Sequence, residues 1–232
     1  ALNDALITEL NENVSEIDQD DTHGAIVITG SGQKAFAAGA DIKEMKDKEY
    51  PWTYTNKMLY HWNQLSHTRK PVIAAVNGYA LGGGFELALL CDIIYASENA
   101  QFGLPELTLA TIPGCGGTQR LIREVGKSKA MEMILSGQFI KAQEAYERGV
   151  ASRILPQDQL LDEAVSLGEK ISRFSRPVVA MAKDSVNKAY DLGLRDGLDY
   201  EHRIFWSTFA TKDQKEGMAA FAEKRDPNFT NE

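Results

Sequence analysis

The chain has 232 residues, of which 43% are hydrophobic, and a formal net charge of −8 at pH 7. This length and composition suit one large globular domain, or a domain with a helical extension, and argue against a disordered chain. The negative charge and the scattered lysines and arginines argue against a nucleic-acid surface, and no apolar run is long enough to span a bilayer.

The N-terminal half alternates between helical and strand patterns. The predicted elements are, in chain order, a helix over 2–17, a strand over 24–30, a loop over 31–45, a helix over 52–67, a strand over 71–78, a helix ending at Leu90 and a strand over 92–97. Strand, helix and strand in this order predict an α/β fold, with a right-handed parallel sheet and helices packed outside it.

From about Gly126 onward the pattern is mainly helical. The predicted helices cover 127–135, 142–148, 160–174 and 177–190, with two more beyond Leu194, and only 151–155 has the pattern of a strand. The sequence therefore predicts a core over 1–174 and a C-terminal helical section over 175–232.

Several motifs begin like known sites but are incomplete. The stretch 125–128 ends like a phosphate-binding loop, but Leu121 occupies the position of the first glycine. The stretch 114–119 begins like a dinucleotide fingerprint, but Gln119 replaces the third glycine. The four histidines lack zinc-site spacing, so we expect no metal. Cys91 and Cys115 are expected to be reduced structural thiols.

The glycine triplet Gly82–Gly84 directly precedes a helical run. A helix start without side chains lets a substrate oxygen reach main-chain N–H groups at the positive end of the helix dipole. Two such N–H groups from separate loops would form an oxyanion hole. The same glycines would equally allow the helix to pack closely on a strand.

Two glutamates, Glu86 and Glu106, lie in apolar stretches beside glycine-rich turns. Two carboxyl groups brought together in a low dielectric cannot both ionise easily, so one stays protonated and the other acts as a base. This division suits a reaction that adds or removes water.

Four segments together resemble a known family. They are KAFAAGADIKEM (34–45), NGYALGGGFELALLCDIIYAS (77–97), AQFGLPELTLATIPGCGGTQRL (100–121) and STFATKDQKEGMAAFAEKR (207–225). The chain resembles the crotonase (enoyl-CoA hydratase/isomerase) superfamily over essentially its whole length, and within it the short-chain mitochondrial-type enoyl-CoA hydratases. The resemblance implies a spiral of ββα units with a C-terminal helical section that builds trimers, which pair into hexamers.

The resemblance also implies residue roles. It places the oxyanion hole at Ala40 and Gly83. It assigns proton transfer at Cα to Glu106 and activation of the water to Glu86. The residues implied in CoA binding are Ala40, Asp41, Ile42 and Lys43, Lys34 as a candidate for the phosphates, and Phe221 and Lys224 for the CoA of a neighbouring subunit. No metal or redox cofactor is implied, since CoA is part of the substrate.

The implied activity is hydration of trans-2-enoyl-CoA to 3-hydroxyacyl-CoA in fatty-acid β-oxidation. An enoyl-CoA isomerase, which needs one carboxylate, is the nearest alternative. A non-catalytic RNA-binding relative is a remote one, because the stretch 52–70, which corresponds to the lysine-rich helix of such relatives, has few lysines.

We expect the mitochondrial matrix as the location for a eukaryotic source and the cytoplasm for a bacterial one. Family members usually carry another strand pair and a basic residue ahead of Ala1, so we expect that N-terminal strands are missing from this chain.

Overall fold

The computed structural model describes all 232 residues. The α-helices are α1 (Asp4–Gln19), α2 (Ile42–Met45), α3 (Tyr50–Thr55), α4 (Gly83–Leu90), α5 (Gly117–Val125), α6 (Lys127–Ser136), α7 (Ala142–Glu147), α8 (Leu160–Ser172), α9 (Arg176–Asn187), α10 (Leu194–Thr208) and α11 (Lys212–Glu223). The strands are β1 (Ile26–Thr29), β2 (Ala35–Ala37), β3 (Val72–Val76), β4 (Tyr79–Leu81), β5 (Ile93–Ser97), β6 (Gln101–Gly103), β7 (Ile140–Lys141) and β8 (Arg153–Leu155). Three 3₁₀ helices cover Tyr60–His67, Glu106–Leu109 and Lys188–Tyr190.

The first sheet has the order β1-β3-β5-β8 and is parallel throughout. Its central strand β3 is buried along its whole length, because the run VIAAV carries no polar side chain. Parallel strands covered on both faces need such continuous apolar runs. The parallel sheet and its strands β1, β3, β5 and β8 are confirmed.

The second sheet has the order β2-β4-β6-β7, parallel between β2, β4 and β6 and antiparallel between β6 and β7. Consecutive strands alternate between the two sheets up to β6, with α4 following the pair β3 and β4. This alternation confirms the spiral of ββα units. The prediction of a loop over 31–45 is wrong in part, because β2 lies within it and pairs with β4.

The predicted single helix over 52–67 is also wrong. The chain forms α3 and a separate 3₁₀ helix, since Lys57 and Leu59 adopt left-handed backbone conformations with φ of 47° and 65°. Helix α5 was not predicted. The helices predicted between residue 127 and the C-terminus are confirmed as α6 to α11, with the last turn of the 177–190 helix in 3₁₀ form.

The main core lies between the two sheets and the helices around them, and includes the ring pair Phe85 and Phe102. A smaller apolar cluster joins α8 to the first sheet through Leu160 and Ala164, whereas Phe174, which follows the end of α8, is 51% exposed. Helices α9 and α10 bury no residue completely. None of the helices combines the length and apolar character that crossing a membrane requires.

Candidate active site

The turn between β4 and α4 brings the start of the helix beside Glu106. Gly82 adopts φ of 52° and ψ of −129°, a conformation that glycine tolerates because it has no Cβ. A Cβ on Gly82 would lie 3.1 Å from Glu106 Oε1 and 3.9 Å from Gly39 Cα. The glycine therefore allows the two loops and the glutamate to meet at one point.

Two main-chain N–H groups lie close together at this point. The Gly39–Asp41 segment is held by Leu2, whose N–H donates to Gly39 O and whose carbonyl accepts from Asp41 N, both at 2.8 Å. The N–H of Ala40 between them donates to no group of the protein, and neither does that of Gly83, the first residue of α4. A Cβ on Gly83 would lie 3.5 Å from Ala40 N. The pair is suited to binding one substrate oxygen.

Glu86 is buried on the first turn of α4, with 2% of its surface exposed. Its Oε1 accepts hydrogen bonds from the N–H groups of Cys115 and Gly117, each at 2.7 Å. Gly117 is the first residue of α5, so the carboxylate also lies at the positive end of that helix dipole. Burial raises the pKa of Glu86, and the N–H donors oppose that rise because they stabilise the ionised form.

Glu106 begins a 3₁₀ helix, and its surroundings differ from those of Glu86. Both carboxyl oxygens are buried, and neither has a hydrogen-bond partner. Burial, with a further contribution from the charge of Glu86, raises the pKa of Glu106 to about 7. The N–H donors thus favour the ionised form at Glu86, whereas nothing stabilises a charge on Glu106, and this difference is the division that acid–base chemistry needs.

A cavity of about 310 Å³ adjoins Ala40 and Asp41. Its apolar lining includes Met45, Leu59 and Trp62. A larger groove of about 770 Å³ runs along α1 and is lined only by polar residues, none of them predicted for the site. Because ligand pockets are mostly apolar with a few polar groups, the smaller cavity is the better candidate for the substrate.

The structure groups most of the predicted site residues but not all of them. Ile42 and Lys43 are exposed on α2, directly after Asp41, which caps that helix by accepting from Lys43 N at 2.9 Å. Three predicted residues make no hydrogen bond or ion pair with the site: Lys34, exposed just before β2, and Phe221 and Lys224, exposed on and after α11.

Sequence reasoning missed the turn that holds Glu86. The stretch 114–119 begins like a dinucleotide fingerprint and forms part of the segment 100–121 that carries the family resemblance, but neither pattern predicts that Cys115 and Gly117 donate to the carboxylate. Trp62, packed against Gly83, was missed too. The sequence signal that could have indicated this turn is its run of glycines directly before α5. No group of three or more His, Cys, Asp or Glu side chains is arranged to hold a metal ion.

The family model described as Enoyl-CoA hydratase/isomerase matches residues 1–232, the whole chain. The chain belongs to the enoyl-CoA hydratase/isomerase family. It is 56% identical over 231 residues to the probable mitochondrial enoyl-CoA hydratase of Dictyostelium discoideum, covering 100% of this chain and 83% of that protein. It is 53% identical to a probable enoyl-CoA hydratase of Rhizobium meliloti, covering 99% of this chain and 89% of the relative. The crystal structure of an enoyl-CoA hydratase subunit from Geobacillus kaustophilus matches with a TM-score of 0.97 and 41% identity, covering 100% of this chain and 90% of that one.

Proposed function

We propose that this member of the enoyl-CoA hydratase/isomerase family adds water to trans-2-enoyl-CoA thioesters, giving 3-hydroxyacyl-CoA in fatty-acid β-oxidation. The observation that carries the proposal is a pair of carboxyl groups with opposite surroundings, near enough that the charge of Glu86 acts on Glu106, at a helix start that also has two N–H groups without partners. The names of the mitochondrial and bacterial relatives support the same reaction.

In the proposed mechanism the thioester carbonyl accepts hydrogen bonds from the N–H groups of Ala40 and Gly83. These donors stabilise the enolate-like charge that develops on the oxygen during addition. The Glu86 carboxylate takes a proton from water as the oxygen of that water bonds to Cβ, and protonated Glu106 gives its proton to Cα. Glu86 ends protonated and Glu106 ionised, and a net proton transfer between them restores the starting state.

The proposal includes how the CoA part is held. Asp41, Ile42 and Lys43 follow Ala40 directly, so a thioester bound at Ala40 has its CoA end within reach of this segment. Lys34 is proposed as a contact for the CoA phosphates. Phe221 and Lys224 are proposed to complete the site of a neighbouring subunit, in a trimer that pairs into a hexamer. The reaction as proposed uses no cofactor besides the CoA of the substrate.

The location is proposed to be the mitochondrial matrix in a eukaryote or the cytoplasm in a bacterium. Relatives named as mitochondrial and relatives from bacteria support the two alternatives equally.

The test is to mix the protein with crotonyl-CoA and follow the loss of conjugated-enoyl absorbance. Wild-type protein should remove the absorbance, and Glu106→Gln should lower kcat by about 100-fold or more, because general acid catalysis contributes about 10²–10⁴. Binding of CoA, measured by calorimetry, should stay close to that of the wild type. A folded wild-type protein that leaves crotonyl-CoA unchanged, yet moves the double bond of a 3-enoyl-CoA, would identify an isomerase instead.

A further inference from the structure

The turn from Cys115 to Gly117 presents its N–H groups to Glu86 and its carbonyl side to α5. On the carbonyl side, Arg120 Nη1 donates to Cys115 O at 3.1 Å. The main-chain N–H of Arg120 also donates to Gly116 O, at 2.8 Å. One residue therefore holds two carbonyls of the turn whose N–H groups hold the carboxylate of Glu86.

The space for the guanidinium depends on Gly116. A Cβ at this position would lie 1.8 Å from Arg120 Nη1, so the guanidinium could not keep its present place beside any other residue type. Gly116 also adopts φ of 102°, in the left-handed region that favours glycine. The absence of a side chain at Gly116 thus lets the arginine lie directly against the turn.

The charge of Arg120 is not needed to satisfy the Cys115 carbonyl. A neutral amide would donate the same hydrogen bond without the cost of desolvating a cation. Arg120 is half-buried, and burial lowers the pKa of its guanidinium, while the charge of Glu86 is the largest effect opposing that fall. The positive charge of Arg120 in turn opposes the rise in the pKa of Glu86.

The other ionisable groups around this pair do not replace that charge. Glu106 and Cys115 are the titratable groups close enough to Glu86 to interact with its charge, and neither carries a charge when protonated. Around Arg120 lie Tyr190, from the 3₁₀ helix after α9, and Arg123, one turn further along α5. Arg123 is exposed and donates to Gln119 O, away from the turn.

We propose that Arg120 is a positioning residue for Glu86, fixing the Cys115–Gly117 turn and placing a positive charge behind it. The inference rests on the proposed hydration reaction, in which Glu86 must be ionised to take a proton from water. Arg120 acts through the turn and contacts none of the reacting atoms. Its effect should therefore appear in the protonation of Glu86 and in kcat more than in substrate binding.

The experiment compares Arg120→Gln, which keeps an N–H donor but loses the charge, with Arg120→Lys, which keeps the charge. With crotonyl-CoA as substrate, Arg120→Gln should lower kcat by up to about 100-fold, as displaced catalytic groups do, with KM little changed. The acid limb of its kcat/KM profile should move to higher pH, because Glu86 without the nearby cation holds its proton longer. Arg120→Lys should keep the acid limb close to that of the wild type.

Two further measurements separate positioning from general damage. Arg123→Gln, the matched arginine on the same helix, should behave as the wild type in both kcat and pH profile. In a Glu86→Gln background, Arg120→Gln should lower kcat little further, because the group it serves is already gone. An unshifted acid limb in Arg120→Gln, or the same loss of kcat in both backgrounds, would overturn the inference. If the proposed function itself is wrong, the result is different from both of these outcomes, because the wild type would then not hydrate crotonyl-CoA.

Discussion

Glu86 and Glu106 have the same side chain, but their neighbours give them different acidities. Two main-chain N–H groups stabilise negative charge on Glu86 Oε1, whereas the oxygens of Glu106 have no partner. Burial of an ionisable group without compensating hydrogen bonds favours its neutral form. The protein thus keeps a carboxylic acid at near-neutral pH by leaving its oxygens without donors, and this arrangement should reduce the stability of the fold.

Because burying Glu106 without donors is unfavourable, the difference in stability between Glu106→Gln and the wild type should depend on pH. The pKa of Glu106 is raised from 4.5 to about 7 on folding. Between these pH values the folded chain holds a proton that the unfolded chain has lost, so stability falls as the pH rises through this window. Glutamine stays neutral throughout. The gain in Tm of Glu106→Gln over the wild type should therefore be larger at pH 8 than at pH 5 in thermal unfolding.

A matched control is Glu98→Gln at an exposed position, which should change Tm by the same small amount at both pH values. A gain for Glu106→Gln that is equal at pH 5 and pH 8 would contradict the raised pKa and, with it, the assignment of Glu106 as the acid.

The sequence could predict the two glutamates but not their surroundings. Apolar residues on both sides of Glu86 indicate a buried position, and the structure places it there. Its partners are main-chain N–H groups of Cys115 and Gly117, and every residue except proline carries such a group. A main-chain donor thus leaves no residue type to recognise, so only the glycines around it gave a signal.

At the level of elements, the start of α4 combines a structural and a chemical requirement. Gly83 supplies an N–H without a partner, and a Cβ there would also lie 2.8 Å from Trp62 Cζ3. A substitution at Gly83 therefore disturbs the packing against Trp62, and a proline there also removes the N–H donor. The two effects can be separated only by comparing two variants.

We expect Gly83→Pro to lower kcat for crotonyl-CoA by about 10²–10³ relative to Gly83→Ala, because removing one oxyanion donor costs that much. Both variants add a Cβ against Trp62, but only proline lacks the N–H, and the first turn of a helix accepts proline. Steady-state kinetics on both folded proteins makes the comparison. Equal kcat values would show that the Gly83 N–H does not contact the substrate oxygen.

The short strands explain why the second sheet was not predicted. Strands β2, β4 and β6 have three residues each and β7 has two, which is too few for an alternating pattern to be recognised. The longer strands β3 and β5, with five residues each, were predicted from their continuous apolar runs. The break between α3 and the following 3₁₀ helix was missed because Lys57 and Leu59 are not residues that usually take left-handed conformations.

At the level of the whole molecule, the C-terminal helices expose large apolar side chains. Leu194 is 81% exposed, Trp206 64% and Phe221 88%, and Val186 on α9 is 70% exposed. Isolated exposed apolar residues are normal, but several on successive helices are typical of an interface. The exposed apolar side chains on α9, α10 and α11 fit the proposed trimer, in which a neighbouring subunit would cover them.

The oligomer proposal predicts that light scattering on the purified protein gives three or six times the 25.6 kDa of one chain. Trp206→Glu should lower this mass, because a buried carboxylate without a partner opposes association. It should also raise KM for crotonyl-CoA, since Phe221 and Lys224 would no longer reach a neighbouring site. Glu98→Lys, an exposed change outside the C-terminal helices, should alter neither mass nor KM. A fully active wild-type monomer would show that each chain binds CoA without its neighbours.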